Sequence, residues 1–164
     1  MRIRNEAPGD AAAIAGVIQA AFASHPHSDG SEGAIVAALR ETGLLTLSLV
    51  AEIDGAIIGH AAYSPVAITG ESAGWFGLAP ASVLPARQGQ GIGSALVREG
   101  LARLRNAGAK GCVVLGEPEY YARFGFVHDP ALTFPGPPPA YFQRIVFSGD
   151  APAGIVRYAP AFGE

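Results

Sequence analysis

The residues best suited to chemistry lie in a glycine-punctuated turn. Gly89, Gly91 and Gly93 alternate there, and Ser94 follows them. Where a strand ends and a helix begins, backbone N–H groups point outward at the positive end of the helix dipole, which suits a phosphate or pyrophosphate. The turn has neither the glycine order of a dinucleotide fingerprint nor the Gly-Lys-Ser/Thr ending of a nucleotide phosphate loop. A phosphate site and a tight strand-to-helix connection therefore fit the glycines equally well.

The elements on either side of this turn follow from apolar spacing. A strand is predicted over about residues 74–83, where Pro80 cannot donate to a ladder and indicates an edge or a bulge. The helix after the turn runs to about Asn106. The apolar run 112–115 predicts a buried strand, and the strand-turn-helix-strand order favours parallel pairing. One side of the helix carries its apolar residues: Ile92, Leu96, Val97, Leu101 and Leu104.

The N-terminal part of the chain predicts helices and a hairpin. A short strand is expected at residues 2–4, and Asp10 is a suitable N-cap for a helix over residues 11–23. Ser31 suits the cap of a second helix that ends near Gly43. Alternating apolar residues predict strands at 45–53 and 56–64, joined by a two-residue Asp54-Gly55 turn.

The C-terminal part is richer in proline. Pro118 suits the first turn of a brief helix that closes at Gly125. A proline-rich loop follows over residues 130–139, and strands are expected at 141–147 and 154–158. With these elements the fold class is a mixed α/β (α+β) arrangement. A chain of 164 residues without a linker predicts one domain over residues 1–164.

Composition excludes several classes of function. The chain is 49% hydrophobic and 15% charged, which excludes a disordered protein. A net charge of −3 without a basic block argues against nucleic acid as a partner. Cys112, the single cysteine, cannot form a disulfide framework, and its apolar surroundings favour a buried small hydrophobe over a nucleophile. No signal peptide or membrane-spanning run is present, so the cytoplasm is the expected compartment and no membrane partner is expected.

Two motifs resemble those of the GNAT superfamily of N-acetyltransferases. Val83-Leu-Pro followed by Gln88-x-x-Gly91-x-Gly93 looks like the acyl-CoA-binding motif of that family, and Tyr121-x-x-x-Gly125-Phe126 looks like its later tyrosine helix. The order of elements over residues 1–128 also agrees. More loosely, the C-terminal segment around Tyr158 is similar to a branch of small bacterial acetyltransferases. The resemblance implies a central mixed, mostly antiparallel sheet flanked by helices and splayed at the acyl-CoA site.

The resemblance also implies a co-substrate and the residues that hold it. Acetyl-CoA would donate an acetyl group to a primary amine by direct attack. The backbone of Val83 would pair with the pantetheine arm while its N–H stabilises the oxyanion, and no metal is expected. The pyrophosphate would be held by backbone N–H groups of Gln88, Gly89, Gly91, Gly93 and Ser94.

Tyr121 is the expected general acid, because the departing thiolate must be protonated and a phenol near the sulfur can do so. Tyr120 is its competitor. A tyrosine that only packs its ring under the short helix is the structural alternative.

A general base is also required, because an amine is protonated at neutral pH. The candidates that remain open are Glu32, Glu52, Glu117, His25, His27 and His60, or a water held by one of them. By resemblance, residues 24–32 and 129–141 shape the pocket for a small-molecule or peptide amine, with Glu32, His25 and His27 as substrate-binding residues. Assembly as a homodimer is left open. A non-catalytic acyl-CoA-binding or sensing module and a phosphate-binding regulatory domain are the alternatives from other classes.

Overall fold

The fold is mixed α/β, with a mainly antiparallel multi-stranded sheet and helices, as predicted. The structure, a computed structural model, describes residues 1–26 and 28–163. It divides into two compact units, Met1–Tyr63 with Pro80–Gly100 and Ser64–Ala79 with Leu101–Glu164. In chain order the elements are β1 Arg2–Asn5, α1 Ala11–Phe22, α2 Glu32–Thr42, β2 Leu47–Ile53, β3 Ala56–Pro65, β4 Ala67–Ile68, β5 Trp75–Val83, α3 Ile92–Asn106, β6 Gly111–Leu115, α4 Pro118–Ala122, β7 Leu132–Thr133, β8 Phe142–Val146 and β9 Gly154–Arg157.

The first unit contains a three-stranded antiparallel array, β1-β2-β3. Val50 of β2 lies opposite Arg4 on one side and His60 on the other. The β2–β3 turn has φ of 52° at Asp54 and 79° at Gly55, which confirms the predicted hairpin with two left-handed residues. Apolar residues of α1, α2 and the strands form one buried cluster: Ile14, Ile18, Val36, Val50 and Ala62.

The helix starts differ from the predicted caps. Asp10 directly precedes α1, but its carboxylate accepts the N–H of Ala7 at 2.7 Å and pairs with Arg4 instead of capping the helix. Ser31 precedes α2, but its hydroxyl donates to Asp29 at 2.5 Å. A nearby charged partner outcompetes the helix N–H groups in both places. Within the ranges 1–26 and 28–163, no helix is long and apolar enough to cross a membrane.

Close packing of α3 on β3 shapes the first unit. Tyr63 of β3 is fully buried, and its hydroxyl donates to the carbonyls of Leu96 and Val97 at 3.3 and 3.1 Å. A Cβ added at Gly59 would lie 3.1 Å from side-chain atoms of both Ile92 and Leu96. The strand therefore approaches the first turns of α3 at a position where a side chain would have little room.

The second unit contains both kinds of strand pairing. β5 pairs with β6 in parallel from Trp75–Gly111 to Leu78–Val114, which confirms the predicted parallel pair, and β6 pairs with β8 antiparallel. The last residues of β5, 79–83, lie beyond that parallel register. Two short strands that the sequence did not predict, β4 and β7, flank β9 in a second sheet. Cys112 is fully buried, as predicted, and burial raises the pKa of its thiol, which favours a buried small hydrophobe over a nucleophile.

Candidate functional site

The glycine-rich turn begins α3 in the first unit. Gly89 and Gly91 have φ of 78° and 80°, and nothing lies within 4 Å of a Cβ built at either of them. The N–H of Ala95 donates to the carbonyl of Gly91 at 3.0 Å, so Gly91 is the last residue before the helical hydrogen bonds start. The N–H groups of a first helical turn have no intrahelical acceptors. The turn is therefore an open backbone surface at the positive end of a helix of 15 residues.

Gln88 closes this turn onto the end of β5. Its side-chain amide donates to the carbonyl of Val83 at 3.1 Å, and the N–H of Leu84 donates to Ile58 in β3 at 2.9 Å. Gly93 and Ser94 lie in the first turn of α3 and are partly buried. All the residues predicted to hold the pyrophosphate thus lie in one segment of the first unit, and the glutamine of the motif fixes its shape.

Tyr121 lies in α4, in the second unit. Its ring makes an edge contact with Phe126, with centroids 5.9 Å apart, and an edge contact with Tyr120 at 5.0 Å. Burial raises the pKa of Tyr121 to about 12, and the neighbouring Tyr120 and Cys112 make smaller contributions in the same direction. The phenol therefore carries its proton throughout the neutral range, as a general acid must.

Residues that the sequence did not single out position this phenol. A Cβ at Gly116 would overlap the Tyr121 ring, so glycine is needed there for the ring to take its place. Gln143 is buried and donates to the carbonyl of Gly116 at 3.2 Å. Burial, with smaller contributions from the nearby Cys112 and Tyr121, raises the pKa of Tyr158. A Cβ built at Gly77 would lie 2.7 Å from the Tyr158 ring, so this ring also packs against a glycine. These contacts depend on how strands and helix pack, which the local sequence does not report.

A cavity of about 600 Å³ lies between α1, α2 and the segment that joins them. Its lining includes Phe22, His25, Asp29 and Glu32, so two of the three predicted substrate-binding residues lie together. The third, His27, lies outside the described residues. Glu32 accepts the Ser28 hydroxyl at 2.8 and 2.9 Å. Among the residues that are described, no group of three or more His, Cys, Asp or Glu side chains is arranged to hold a metal ion.

The other carboxylate candidates for the base differ in their partners. Glu52 pairs with Arg4 at 3.4 Å and is mostly buried. Glu117 is exposed, and the Tyr141 hydroxyl lies 3.5 Å from its Oε1. Glu117 also lies one helical turn before Tyr121, whose N–H donates to its carbonyl at 3.1 Å. Of these two carboxylates, Glu117 is the one that solvent and a substrate can reach.

His60 belongs to a buried hydrogen-bonded chain in the first unit. Its Nε2 lies 2.8 Å from Ser48 Oγ, the Ser48 hydroxyl donates to Glu6, and Arg40 donates to both Glu6 oxygens at 2.8 and 3.0 Å. Because Ser48 gives its only proton to Glu6, Nε2 of His60 donates, and Nδ1 is a buried acceptor without a partner within the described part of the chain. Burial lowers the pKa of His60 to about 4, which favours a structural role over that of a base.

The buried, neutral His60 of this hydrogen-bonded chain predicts that the protein loses stability in acid. Unfolded His60 binds a proton below its ordinary pKa of 6.5, whereas the folded ring stays neutral until about 4. The unfolded state then holds more protons, so stability falls as the pH drops through this window. We expect His60 to account for a loss of about 3 kcal/mol in the free energy of unfolding between about pH 7 and pH 4, measured by urea unfolding.

The control for this prediction is His60→Gln, because a glutamine amide can still donate to Ser48 without titrating. Burial opposes ionisation of Glu6, but hydrogen bonds from Arg40 and Ser48 lower its pKa, so Glu6 adds to the acid loss in both proteins. The variant should show a flatter pH dependence above pH 4. An unchanged slope in the variant would exclude His60 as its source.

The sequence match agrees with the site just described. Residues 46–128 match the family described as "Acetyltransferase (GNAT) domain", and this range contains the turn and Tyr121. The chain belongs to the GNAT family of acetyltransferases.

Similar proteins match over nearly the whole chain. The protein named "Uncharacterized N-acetyltransferase YhbS" of Escherichia coli K12 is 41% identical, with 100% of this chain and 99% of that protein covered. A GNAT family acetyltransferase from Brucella melitensis, solved in complex with acetyl-CoA, is 55% identical with a TM-score of 0.88, covering 98% of this chain and 97% of that one. YhbS from E. coli, solved in complex with CoA, has a TM-score of 0.90 and is 36% identical, covering 99% of this chain and 92% of that one.

Proposed function

We propose that this protein binds acetyl-CoA through the segment 83–94 and transfers the acetyl group to a primary amine. The observation that carries the proposal is the open backbone turn at the start of α3, in which Gly91 has a φ of 80° and Gln88 is bonded to Val83. The two similar proteins solved with acetyl-CoA and with CoA support the choice of co-substrate. One acetyltransferase domain over residues 1–164 and a cytoplasmic location stay predictions.

The pyrophosphate of CoA is doubly anionic, and a helix N-terminus with several outward N–H groups stabilises such a charge. Gln88, Gly89, Gly91, Gly93 and Ser94 are the proposed donors. Backbone groups do this work, so most side-chain replacements in the turn would be tolerated. Glycines at a positive φ are the exception, because they combine an unusual backbone conformation with a surface that a phosphate can approach closely.

The transfer step requires an oxyanion donor and a general acid in addition to the general base. The backbone N–H of Val83 is the proposed oxyanion donor, a contribution of about 3 kcal/mol in other acyl transfers. Tyr121 is the proposed general acid that protonates the CoA thiolate as the C–S bond breaks. An amine acceptor is proposed because the similar E. coli protein is named an N-acetyltransferase.

Thermal melting with acetyl-CoA, CoA and ATP tests the binding part. A ligand that binds only the folded state raises the melting temperature by mass action, so we expect both CoA species to raise it and ATP to raise it less. Gly91→Ala should weaken acetyl-CoA binding about tenfold, which is about 1.4 kcal/mol. The absence of a shift with either CoA species would contradict the proposal.

The matched control is Gly70→Ala. Gly70 also has a φ of 80° and open space around its Cβ position, so both variants carry the same backbone strain. Gly70 lies in the second unit, outside the turn. Equal loss of acetyl-CoA binding in the two variants would mean that general destabilisation, and not the turn, is responsible. Thiol release with a panel of amines then separates an enzyme from a sensing module, since only an enzyme releases CoA.

A further inference from the structure

The end of β6 places a reachable carboxylate beside exposed apolar side chains. Leu115, the last residue of β6, is 41% exposed, and so is Tyr141. Glu117 follows two residues after Leu115, and the Tyr141 hydroxyl lies 3.5 Å from its carboxylate. Ligands of open α/β sheets bind outside the carboxyl ends of parallel strands, and β6 is the parallel partner of β5.

Hydrogen bonds hold this arrangement in place. The N–H of Gly116 donates to the carbonyl of Tyr141 at 2.9 Å, and the buried Gln143 donates to the carbonyl of Gly116 at 3.2 Å. Both bonds tie the end of β6 to the start of β8. Glu117 and Tyr141 are therefore side by side because of backbone pairing, which is more rigid than a contact between two exposed side chains.

Glu117 differs in its charge environment from four of the carboxylates already described. Glu6, Asp10, Glu52 and Asp129 each pair with an arginine. Glu117 has no ion-pair partner among residues 1–26 and 28–163. A negatively charged group without a cation, with the Tyr141 hydroxyl beside it and an exposed leucine two residues earlier in the chain, suits an ammonium group on an apolar carbon chain.

We infer that Glu117 is the general base that takes the proton of the acceptor ammonium, and that Leu115 and Tyr141 contact the apolar part of the acceptor. This inference rests on the proposed function. Glu117 lies one helical turn before Tyr121, so the base and the acid belong to one short segment at the start of α4.

The proton balance of the step is complete. Glu117 accepts one proton from the ammonium, and the freed lone pair forms the C–N bond to the thioester carbonyl carbon. When the tetrahedral intermediate collapses, the C–S bond breaks, and sulfur leaves with its electron pair and takes the proton of Tyr121. The surplus N–H proton of the new amide returns through solvent to the Tyr121 phenolate, and Glu117 releases its proton to water.

Glu117→Gln tests the inference. The variant should release thiol about 10²-fold more slowly at pH 7 with butylamine, phenylethylamine, spermidine or an alanine-terminated peptide, whichever the wild type uses. Below the pKa of the amine, about 10 for an alkylamine and about 8 for a peptide α-amine, each pH unit gives about tenfold more free amine, so the deficit in kcat/KM should shrink as the pH approaches that pKa. The acetyl-CoA thermal shift should stay that of the wild type.

Glu119→Gln is the matched control, because Glu119 is also exposed and lies two residues further along. It should keep wild-type activity. Full activity of Glu117→Gln, a deficit that stays constant with pH, or an equal deficit in the control would each overturn the inference while leaving acetyl transfer in place. Failure of the wild type to release thiol with every amine would instead overturn the proposed function, and this inference with it.

Discussion

Replacement of Tyr121 by phenylalanine is expected to lower kcat for thiol release by about 10²-fold without loss of the fold or of acetyl-CoA binding. The ring contacts with Phe126 and Tyr120 do not involve the hydroxyl, so phenylalanine keeps the packing under α4. Only the proton donor is removed. Thiol release under saturating acetyl-CoA measures the effect, and the ligand-induced thermal shift verifies that binding is retained.

The raised pKa of Tyr121 sets the size of this effect. At about 12 it lies above the ordinary thiol pKa of about 8.5, so full proton transfer ahead of C–S cleavage is unfavourable. The phenol instead stabilises the sulfur by hydrogen bonding as negative charge develops, and the proton follows. We therefore expect an effect in the lower part of the range for general acids, about 10².

Tyr120→Phe is the control for this prediction. Tyr120 is the neighbouring phenol, and the Arg123 guanidinium lies over its ring at 4.5 Å. In the sequence only the spacing to Gly125-Phe126 favours Tyr121 over Tyr120. Retention of full kcat by Tyr121→Phe across the pH range would show that the acid is another group. A loss confined to Tyr120→Phe would transfer the role to Tyr120.

The parts of the fold that the sequence predicted are those with a local physical cause. The Asp54-Gly55 turn needs two residues with positive φ, and the chain supplies residues suited to them. The glycine-rich turn and α3 were likewise predicted from residue order. β4 and β7 have two residues each, too few for an alternating pattern, and they form because β9 offers them a partner.

The site residues likewise divide into those with a local cause and those whose contacts depend on distant parts of the chain. Gly89 and Gly91 were singled out by their spacing, and their left-handed conformations follow from the turn that they make. No sequence pattern predicts that position 116 must be glycine to leave room for the Tyr121 ring, because this close contact depends on the angle between β6 and α4. The cap predicted at Asp10 failed for a related reason, since Arg4 is brought close only when β1 forms. Long-range packing decides these contacts.

Another glycine that the sequence did not single out controls the position of α3. Gly100 lies in the middle of this helix, and a Cβ there would overlap the ring of Tyr63. Tyr63 is fully buried and its hydroxyl is bonded to the carbonyls of Leu96 and Val97, so the ring cannot move aside without losing those bonds. Because α3 begins at the proposed pyrophosphate turn, this contact also fixes the part of the first unit that would meet CoA.

Gly100→Ala is therefore expected to destabilise the protein by about 3 kcal/mol, although alanine is the better helix former. Overpacking costs about 1–3 kcal/mol and the two hydrogen bonds about 1 kcal/mol each, while helix propensity returns about 1 kcal/mol. Urea unfolding measures the difference in the free energy of unfolding.

Gly16→Ala is the matched control, because Gly16 lies inside α1 with nothing within 4 Å of its Cβ position. It should gain up to about 1 kcal/mol from helix propensity alone. Adding Tyr63→Leu to Gly100→Ala should cost less than the two single losses together, since a smaller residue at 63 removes the overlap that the alanine creates. Equal stability changes at positions 16 and 100 would show that α3 does not depend on this close approach, and additive losses in the double variant would show that Tyr63 is not the residue obstructed.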